Sequence, residues 1–154
     1  MNSGLAKFTA ALSSRWRSLF SRSKDSSRPD HALGQRGEKL AAKFLRRNGY
    51  KVLYRDFKPR RGGQIDIVCR DDDTLVFVEV KSRRSDALRR PVDELLSDQK
   101  RRISRGALTW LRMLDNPDIP FRFDVVEVIA SDDGAKPRLE LIQNAFQLAK
   151  PYMY

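Results

Sequence analysis

Apolar residues recur along the chain at two spacings, and each spacing predicts one kind of element. Steps of three and four residues over 35–48 predict an amphipathic helix. Gly49 predicts its end, because glycine adopts the left-handed conformation that closes many helices. The same spacing predicts a second helix over residues 92–114, with a break near residues 104–106.

Short stretches in which apolar residues alternate or run together predict strands. The predicted strands are residues 50–57, 64–70, 75–82, 121–129 and 139–142. The order is therefore helix, three strands, helix and two strands. This order predicts an α/β fold with a central mixed β-sheet flanked by α-helices.

Three charged residues interrupt the two most apolar strands, residues 64–70 and 75–82. Side chains on a strand alternate between its two faces, and both faces of these strands are largely apolar. That pattern is typical of a hairpin in the centre of a sheet that is covered on both sides. Asp66, Glu79 and Lys81 thus interrupt a pattern that is otherwise buried.

The run of three aspartates at residues 71–73 predicts the turn between these strands. A symmetric turn places Asp66 opposite Glu79 and Gln64 opposite Lys81. Directly opposed side chains have Cβ atoms about 4.5–5.5 Å apart, so two carboxylates there repel each other unless a cation joins them. Oxygen ligands without His or Cys suit Mg²⁺ or Mn²⁺. The alternative is an ion pair with Lys81 alone, which leaves a surplus negative charge.

Glu38 is the only acidic residue in the first predicted helix. At 100° per residue it lies beside Ala41 and Leu45, towards the apolar side. An acid on that side could point at Asp66 and Glu79. The alternative is an acid that only stabilises the positive end of the helix dipole, by about 0.3–1 kcal/mol at a surface.

The chain carries 31 Lys and Arg against 20 Asp and Glu, a formal net charge of +11. This surplus favours a polyanionic partner, nucleic acid first and an anionic membrane surface second. Basic residues lie in the loops on either side of the acidic residues and on the second helix. The predicted nucleic-acid contacts are Lys58, Arg60, Arg61, Arg83, Arg84, Arg89, Arg90, Lys100, Arg101, Arg102 and Arg105. The alternative for any single one is a solvated surface charge.

Residues 1–33 form a basic, serine-rich extension, and residues 34–150 form the domain. Apolar residues of the extension recur at helical spacing. They are Leu5, Phe8, Leu12, Trp16 and Leu19. They predict either an amphipathic helix that binds a membrane or nucleic acid, or a frayed extension. Residues 21–30 have the composition of a linker.

The single cysteine, Cys69, and the single histidine, His31, exclude an intramolecular disulfide and a Cys/His zinc site. Cys69 is predicted to be a small core residue, and His31 a solvated one. No apolar run approaches the roughly 20 residues that span a bilayer. The first 30 residues also lack the pattern of a secretory signal. We therefore expect a cytoplasmic protein.

The order of the charged residues resembles that of a nuclease superfamily. Asp66 followed, after twelve residues, by Glu79-Val80-Lys81 resembles the PD-(D/E)xK restriction-endonuclease-like superfamily. Within it, the chain resembles the small bacterial YraN-like proteins, which are similar in layout to archaeal Holliday-junction resolvases. The motifs that carry this resemblance are Gly37-Glu38 with Ala41, residues 63–68 and residues 76–81. It covers about residues 34–146.

The resemblance implies a restriction-endonuclease-like domain that hydrolyses phosphodiester bonds in DNA, branched or junction DNA included. Asp66, Glu79 and the Val80 carbonyl would hold Mg²⁺ or Mn²⁺. Lys81 would orient water or stabilise negative charge, and Glu38 would hold a water at the metal. Relatives commonly have Glu where this chain has Gln64, which can hydrogen-bond near the ligands but adds no charge. A second metal that needs this carboxylate would lack that ligand in this chain.

Two other functions compete with a DNA endonuclease. One is a nucleic-acid-binding protein of the same fold without catalysis. The other is a membrane-surface factor that uses residues 5–20. DNA is the expected partner, and the formation of a homodimer is left open.

Overall fold

Helices and strands follow one another in the predicted order, helix, three strands, helix and two strands. The computed structural model describes residues 29–85 and 95–152, with side chains from residue 34 onward. The elements are α1 (Pro29–Arg47), β1 (Lys51–Phe57), β2 (Ile65–Asp71), β3 (Thr74–Arg84), α2 (Ser97–Met113), β4 (Phe121–Ala130) and β5 (Arg138–Phe146). The predicted amphipathic helix of residues 5–19 lies outside the described residues.

The five strands form one mixed sheet in the order β1-β2-β3-β4-β5. The β3–β4 pair is parallel, and the other three pairs are antiparallel. A parallel pair needs a crossover connection, and α2 lies in that connection. The protein is thus an α/β fold of restriction-endonuclease-like architecture, which confirms the predicted fold class. None of its helices, within the part of the chain described, is long and apolar enough to cross a membrane.

Each face of the sheet has its own apolar core, because β2 and β3 are buried on both sides as predicted. The core beside α1 contains Ala41, Ala42, Leu45, Ile67, Cys69, Val76, Val78 and Val126. The core beside α2 contains Phe57, Val68, Phe77, Ile103, Trp110, Phe123 and Val125. Cys69 is a small core residue, as predicted, and burial raises the pKa of its thiol to about 12.

Helix α1 begins at Pro29, earlier than the predicted start at residue 35. Proline is favoured in the first helical turn, because its missing N–H is not needed there. The predicted linker over residues 21–30 is therefore wrong at its C-terminal end. Gly49 closes the helix with φ of 87°, and the Tyr50 N–H donates to the carbonyl of Leu45, as expected for a glycine cap.

Helix α2 runs from Ser97 to Met113 without the predicted break at residues 104–106. Its small residues serve packing instead of ending the helix. The buried Ser104 hydroxyl accepts a hydrogen bond from the Ala149 N–H at 3.0 Å, and Gly106 admits a neighbouring loop. Leu95 and Leu96 precede the helix, so its predicted start at residue 92 is wrong.

Two strands extend beyond their predicted ends. β3 continues to Arg84, because its parallel ladder with β4 runs as far as Arg84 and Ala130. β5 runs over Arg138–Phe146 instead of residues 139–142. Polar residues in this stretch interrupt the apolar pattern, so the sequence did not predict the continuation. Asn144 adopts a φ of 50° where the register with β4 shifts.

Candidate active site

The ladder between β2 and β3 ends next to the predicted acids. In its register Ile67 pairs with Val78. All pairs from there to the end of the hairpin are those that the predicted symmetric turn requires. One further step in this register places Asp66 opposite Glu79. Asp66 does not continue the backbone ladder there. Its carboxylate Oδ2 instead accepts a hydrogen bond from the Val80 N–H at 2.8 Å.

The second predicted cross-strand pair, Gln64 with Lys81, does not belong to the ladder. Gln64 lies before β2, and its backbone N–H donates to the carbonyl of Arg102 on α2, at 3.4 Å. The loop therefore turns towards α2 before it reaches the sheet. β3 extends past this point without β2 beside it, which leaves Lys81 at the opening between the two strands.

Asp66 and Glu79 are two buried carboxyl groups at facing positions of neighbouring strands. Their exposed fractions are 8% and 5%, and the register of β2 and β3 brings the two residues to facing positions. The pKa of Asp66 is held well above its usual range, first by burial and then by the negative charge of Glu79. A bound cation would offset the repulsion between the two carboxylates.

Lys81 supplies one positive charge to this pair. Its Nζ lies 3.2 Å from Oε1 of Glu79, and its side chain keeps 22% of its surface exposed. The prediction that Lys81 reaches the same space as Glu79 is confirmed. The two carboxylates still outnumber this single ammonium group when both are ionised.

Glu38 approaches the site from α1, because a glycine precedes it. A Cβ built on Gly37 would lie 2.7 Å from the Ser82 hydroxyl, so a larger residue there would have to displace this hydroxyl for α1 to lie as close to β3. Glu38 is half-buried. Its pKa is raised by burial first and by Asp56 next, with a smaller contribution from Glu79. Its charge in turn raises the pKa of Asp66, so the three acids share one electrostatic environment.

The donor atoms at this site fit a hard divalent cation. In the described parts of the chain, no three His, Cys, Asp or Glu side chains converge as a metal site, which leaves Glu38 outside the direct ligands. The carboxylates of Asp66 and Glu79 remain, together with a backbone carbonyl. The N–H and C=O of one strand residue point to the same side, so the Val80 carbonyl faces the Asp66 side. Mg²⁺ commonly takes one or two carboxylates and keeps several waters.

A basic surface borders the opening where β2 begins. We call it the basic loop surface, and it consists of Arg60, Arg61, Arg102 and Arg105, all exposed. The loop before β2 packs directly on α2. A Cβ on Gly63 would lie 2.5 Å from the Gly106 nitrogen, and one on Gly62 would lie 3.4 Å from the Arg105 guanidinium. Both loop glycines also have positive φ values, so this packing depends on glycine.

Other predicted nucleic-acid contacts lie beside acids. Lys58 lies 2.9 Å from Asp56, and Arg101 lies 3.4 Å from Asp98, in both cases with exposed side chains. Such exposed pairs contribute little to stability and remain able to exchange partners. Lys100 is half-buried on α2. Arg89 and Arg90 lie outside the described residues.

Arg83 and Arg84 belong to β3, which corrects their predicted place in a loop. Nε of Arg83 lies 3.6 Å from Oε2 of Glu127, and only 15% of the Arg83 side chain is exposed. Arg84 is exposed and lies 3.2 Å from Asp132. Arg83 thus lies against the sheet with little of its side chain exposed, and it does not extend into solvent as its predicted place in a loop implied.

The sequence analysis missed Glu127, which is fully buried on β4. It is the register partner of Lys81 in the parallel ladder. A signal was present, because Glu127 interrupts the apolar alternation of Phe123 and Val125 as Glu79 interrupts that of β3.

A second polar cluster was also missed, and it lies at the other end of the sheet. Arg122 donates to Asp71 at 2.7 Å and to the fully buried Asp124 at 3.0 Å. The Tyr50 hydroxyl accepts hydrogen bonds from Arg122 and Gln143. This cluster ties β2, β4 and β5 together at the hairpin turn, away from Glu79.

Comparison with known proteins gives one consistent match. A family model described as "Uncharacterised protein family UPF0102" matches residues 37–128, which include Glu38, Asp66, Glu79 and Lys81. A UPF0102 protein of Geobacter metallireducens is 48% identical over 118 residues, 77% of this chain and 94% of the relative. One of Geobacter sulfurreducens is 45% identical over 126 residues, 81% of this chain and 96% of the relative. One of Geotalea uraniireducens is 42% identical over 118 residues, 77% of this chain and 91% of the relative.

Proposed function

This chain belongs to UPF0102, the YraN family within the restriction-endonuclease-like superfamily, and we propose that it is a metal-dependent DNA endonuclease. The names of its relatives state no activity, so the proposal depends on the site. The observation that carries it is the burial of the Asp66 and Glu79 carboxyl groups at facing positions of β2 and β3, with Lys81 at 3.2 Å from Glu79.

Burial of two neighbouring carboxyl groups lowers the stability of the fold, so a functional role explains the arrangement better than packing does. Two carboxylates that face each other in a low-dielectric site repel, and burial and this repulsion hold the pKa of Asp66 above its usual range. Strongly perturbed carboxyl groups beside an opening are typical of functional sites. A divalent cation stabilises both ionised groups at once.

Each residue has a separate role in the proposed hydrolysis. Asp66, Glu79 and the Val80 carbonyl hold Mg²⁺ or Mn²⁺, which supplies Lewis acidity and neutralises phosphate charge. Lys81 orients the attacking water or stabilises the negative charge that develops on the phosphate. Glu38 holds a water near the ligands, because it lies close enough to affect both acids without joining the ligand set.

The basic loop surface supports DNA as the substrate. Its four arginines lie around the loop that leads into β2 and Asp66. Exposed basic groups neutralise phosphates and fix the position of the duplex, but they carry no sequence information by themselves. We therefore propose binding without sequence preference, and branched or junction DNA as candidate substrates. A cytoplasmic location is part of the same proposal.

A cleavage panel tests this function. Purified protein is incubated with linear duplex, single-stranded, flapped and four-way DNA, with Mg²⁺ or Mn²⁺ and with excess EDTA. We expect cleavage of at least one substrate that stops in EDTA. Tight DNA binding without cleavage of any substrate would favour the non-catalytic binding protein. Cleavage that continues in EDTA would refute the metal role.

A further inference from the structure

A group of exposed basic residues lies around Glu38, on the face of the sheet that α1 covers. Arg36 and Lys39 are exposed on α1 and, three residues apart, they are neighbours on the helix surface. Arg55 is exposed on β1. Its register partner Ile67 belongs to the core beside α1, and opposed residues of paired strands share a face, so Arg55 lies on that face too. We call Arg36, Lys39 and Arg55 the α1 basic patch.

The α1 basic patch lies at the end of α1 that is near the candidate metal site. At this end Gly37 faces Ser82 of β3, three residues after Glu79. The helix finishes at the other end of the sheet, because β1 begins beside the hairpin turn, with Lys51 opposite Arg70. At 1.5 Å per residue, the last turn of α1 is therefore about 12–15 Å from the patch along the helix axis.

The α1 basic patch and the basic loop surface lie on opposite faces of the sheet. The basic loop surface belongs to α2 and to the loop that packs on it, and α2 covers the face opposite α1. Asp66 is close to both surfaces. The loop leads directly into β2, and the pKa of Asp66, which burial raises most, is also raised by the charge of Glu38. A DNA duplex at the metal site can thus be contacted from both faces.

The basic groups of the patch are not engaged by acids in the way that their neighbour Lys58 is. Lys58 lies 2.9 Å from Asp56, whereas no acidic side chain in residues 34–85 and 95–152 forms an ion pair with Arg36, Lys39 or Arg55. Exposed cations without such partners can bind an anionic ligand without first breaking an ion pair.

We propose that the α1 basic patch is a second DNA-binding surface, which contacts phosphates on the side of the metal site opposite to the basic loop surface. The proposal deepens the proposed nuclease function and rests on it for the identity of the ligand. It states how the substrate lies: a duplex that spans the end of the sheet and is held from both faces. Such contacts position the DNA without reading its sequence.

The surroundings of the patch favour DNA over the other polyanion, an anionic membrane. A membrane-surface helix combines basic residues with large apolar side chains that enter the lipid. In the described parts of the chain, the large apolar side chain that is mostly exposed is Leu96. It directly precedes α2, so it does not belong to the surface that carries the patch.

The first experiment measures DNA affinity at several salt concentrations. The patch variant is Lys39→Gln with Arg55→Gln. The matched control is Arg46→Gln with Arg47→Gln, which removes the same charge from exposed residues in the last turn of α1. Each lost phosphate contact should lower the slope of log affinity against log salt by roughly 0.9, so the patch variant should lose about 1.8. The control should keep the wild-type slope.

The second experiment locates the DNA by cross-linking. Cys69 is the single cysteine of the chain and is fully buried, so a photoreactive thiol label attaches to an introduced cysteine. The labelled variants are Lys39→Cys, Arg60→Cys and, as the control, Arg47→Cys. We expect cross-links to duplex DNA from residues 39 and 60 and few from residue 47.

Three results would overturn the proposal. One is a wild-type salt slope in the patch variant, and another is an equal loss in the patch variant and its control, since net charge alone would then attract the DNA. The third is weaker binding of the patch variant to phosphatidylserine vesicles with unchanged DNA affinity, which would assign the patch to a membrane.

Failure of the nuclease proposal gives a different result. If the wild-type protein binds DNA and cleaves no substrate, the nuclease proposal fails, while the salt slopes and cross-links still decide the role of the α1 basic patch. A wild-type protein that binds no DNA would contradict both.

Discussion

The carboxylate of Asp66 accepts a hydrogen bond from the backbone N–H of Val80 at 2.8 Å. A side chain of β2 thereby takes the place that a backbone carbonyl would have in a continued ladder. The bond fixes Asp66 beside Glu79 at the point where the two strands separate. It also directs the Val80 carbonyl towards the same space, since both groups of a strand residue point the same way.

The first prediction concerns stability and pH. Asp66→Asn should stabilise the folded protein at neutral pH when divalent ions are absent. The pKa of Asp66 is raised in the fold, by burial first and by Glu79 second. Such a group lowers the stability of the folded protein as the pH rises from the group's usual pKa to the raised one, and this loss of stability is complete above that window. Asparagine at residue 66 removes this cost.

Thermal unfolding in EDTA measures the effect. We expect a gain of about 1 kcal/mol or more near neutral pH, or roughly 2–4 °C for a domain of this size. No gain is expected below the usual pKa of aspartate. Mn²⁺ should raise the melting temperature of the wild type and not that of the variant. Equal melting temperatures at every pH would show that burial of Asp66 carries no penalty.

The second prediction separates Lys81 from the metal ligands. Lys81→Met should retain Mn²⁺ affinity and lose cleavage rate by about 10²–10³-fold, because the ammonium acts on water or phosphate and cannot be a ligand while charged. Calorimetry with Mn²⁺ and single-turnover cleavage measure the two effects. Cleavage at the wild-type rate would make Lys81 a structural residue.

The third prediction concerns Gln64, where the family resemblance implies a carboxylate. Gln64→Glu should cleave as fast as the wild type or faster, because it adds an acid two residues before Asp66. Cleavage measured over a range of Mn²⁺ concentrations gives the comparison. A sharp loss of activity in a folded variant would contradict this role for residue 64.

The fourth prediction concerns the basic loop surface. Charge reversal of Arg60 and Arg61 should weaken binding to all duplex sequences about equally. Each lost phosphate contact should reduce the slope of log affinity against log salt by roughly 0.9. The control is reversal of Arg46 and Arg47, which are exposed in the last turn of α1 and give the same change in net charge. Equal effects of both reversals would show that net charge alone attracts DNA.

The sequence predicts the parts of the site that follow from local pattern. Alternation along β3 identifies Glu79 and Lys81 as charged residues in a buried strand, and the aspartate turn sets the register that brings Asp66 to Glu79. Both signals act over a few residues, where strand geometry fixes which side chains meet.

Contacts between distant segments are not predictable in this way. The partner of Arg83 lies on β4, and nothing near Arg83 in the chain indicates that Glu127 is beside it. The helix break predicted near residue 106 is wrong for a similar reason. Gly106 is needed because the loop at Gly63 packs on it, and only the assembled fold brings the two together.

Cleavage by the Asp66→Ala and Glu79→Ala variants tests the central claim most directly. Each variant is compared with the wild type on one DNA substrate in Mn²⁺, with DNA binding measured on the same samples. The claim that these two carboxyl groups hold the catalytic metal predicts no detectable cleavage by either variant, weakened Mn²⁺ binding and nearly unchanged DNA affinity. Cleavage by either folded variant at the wild-type rate would contradict it.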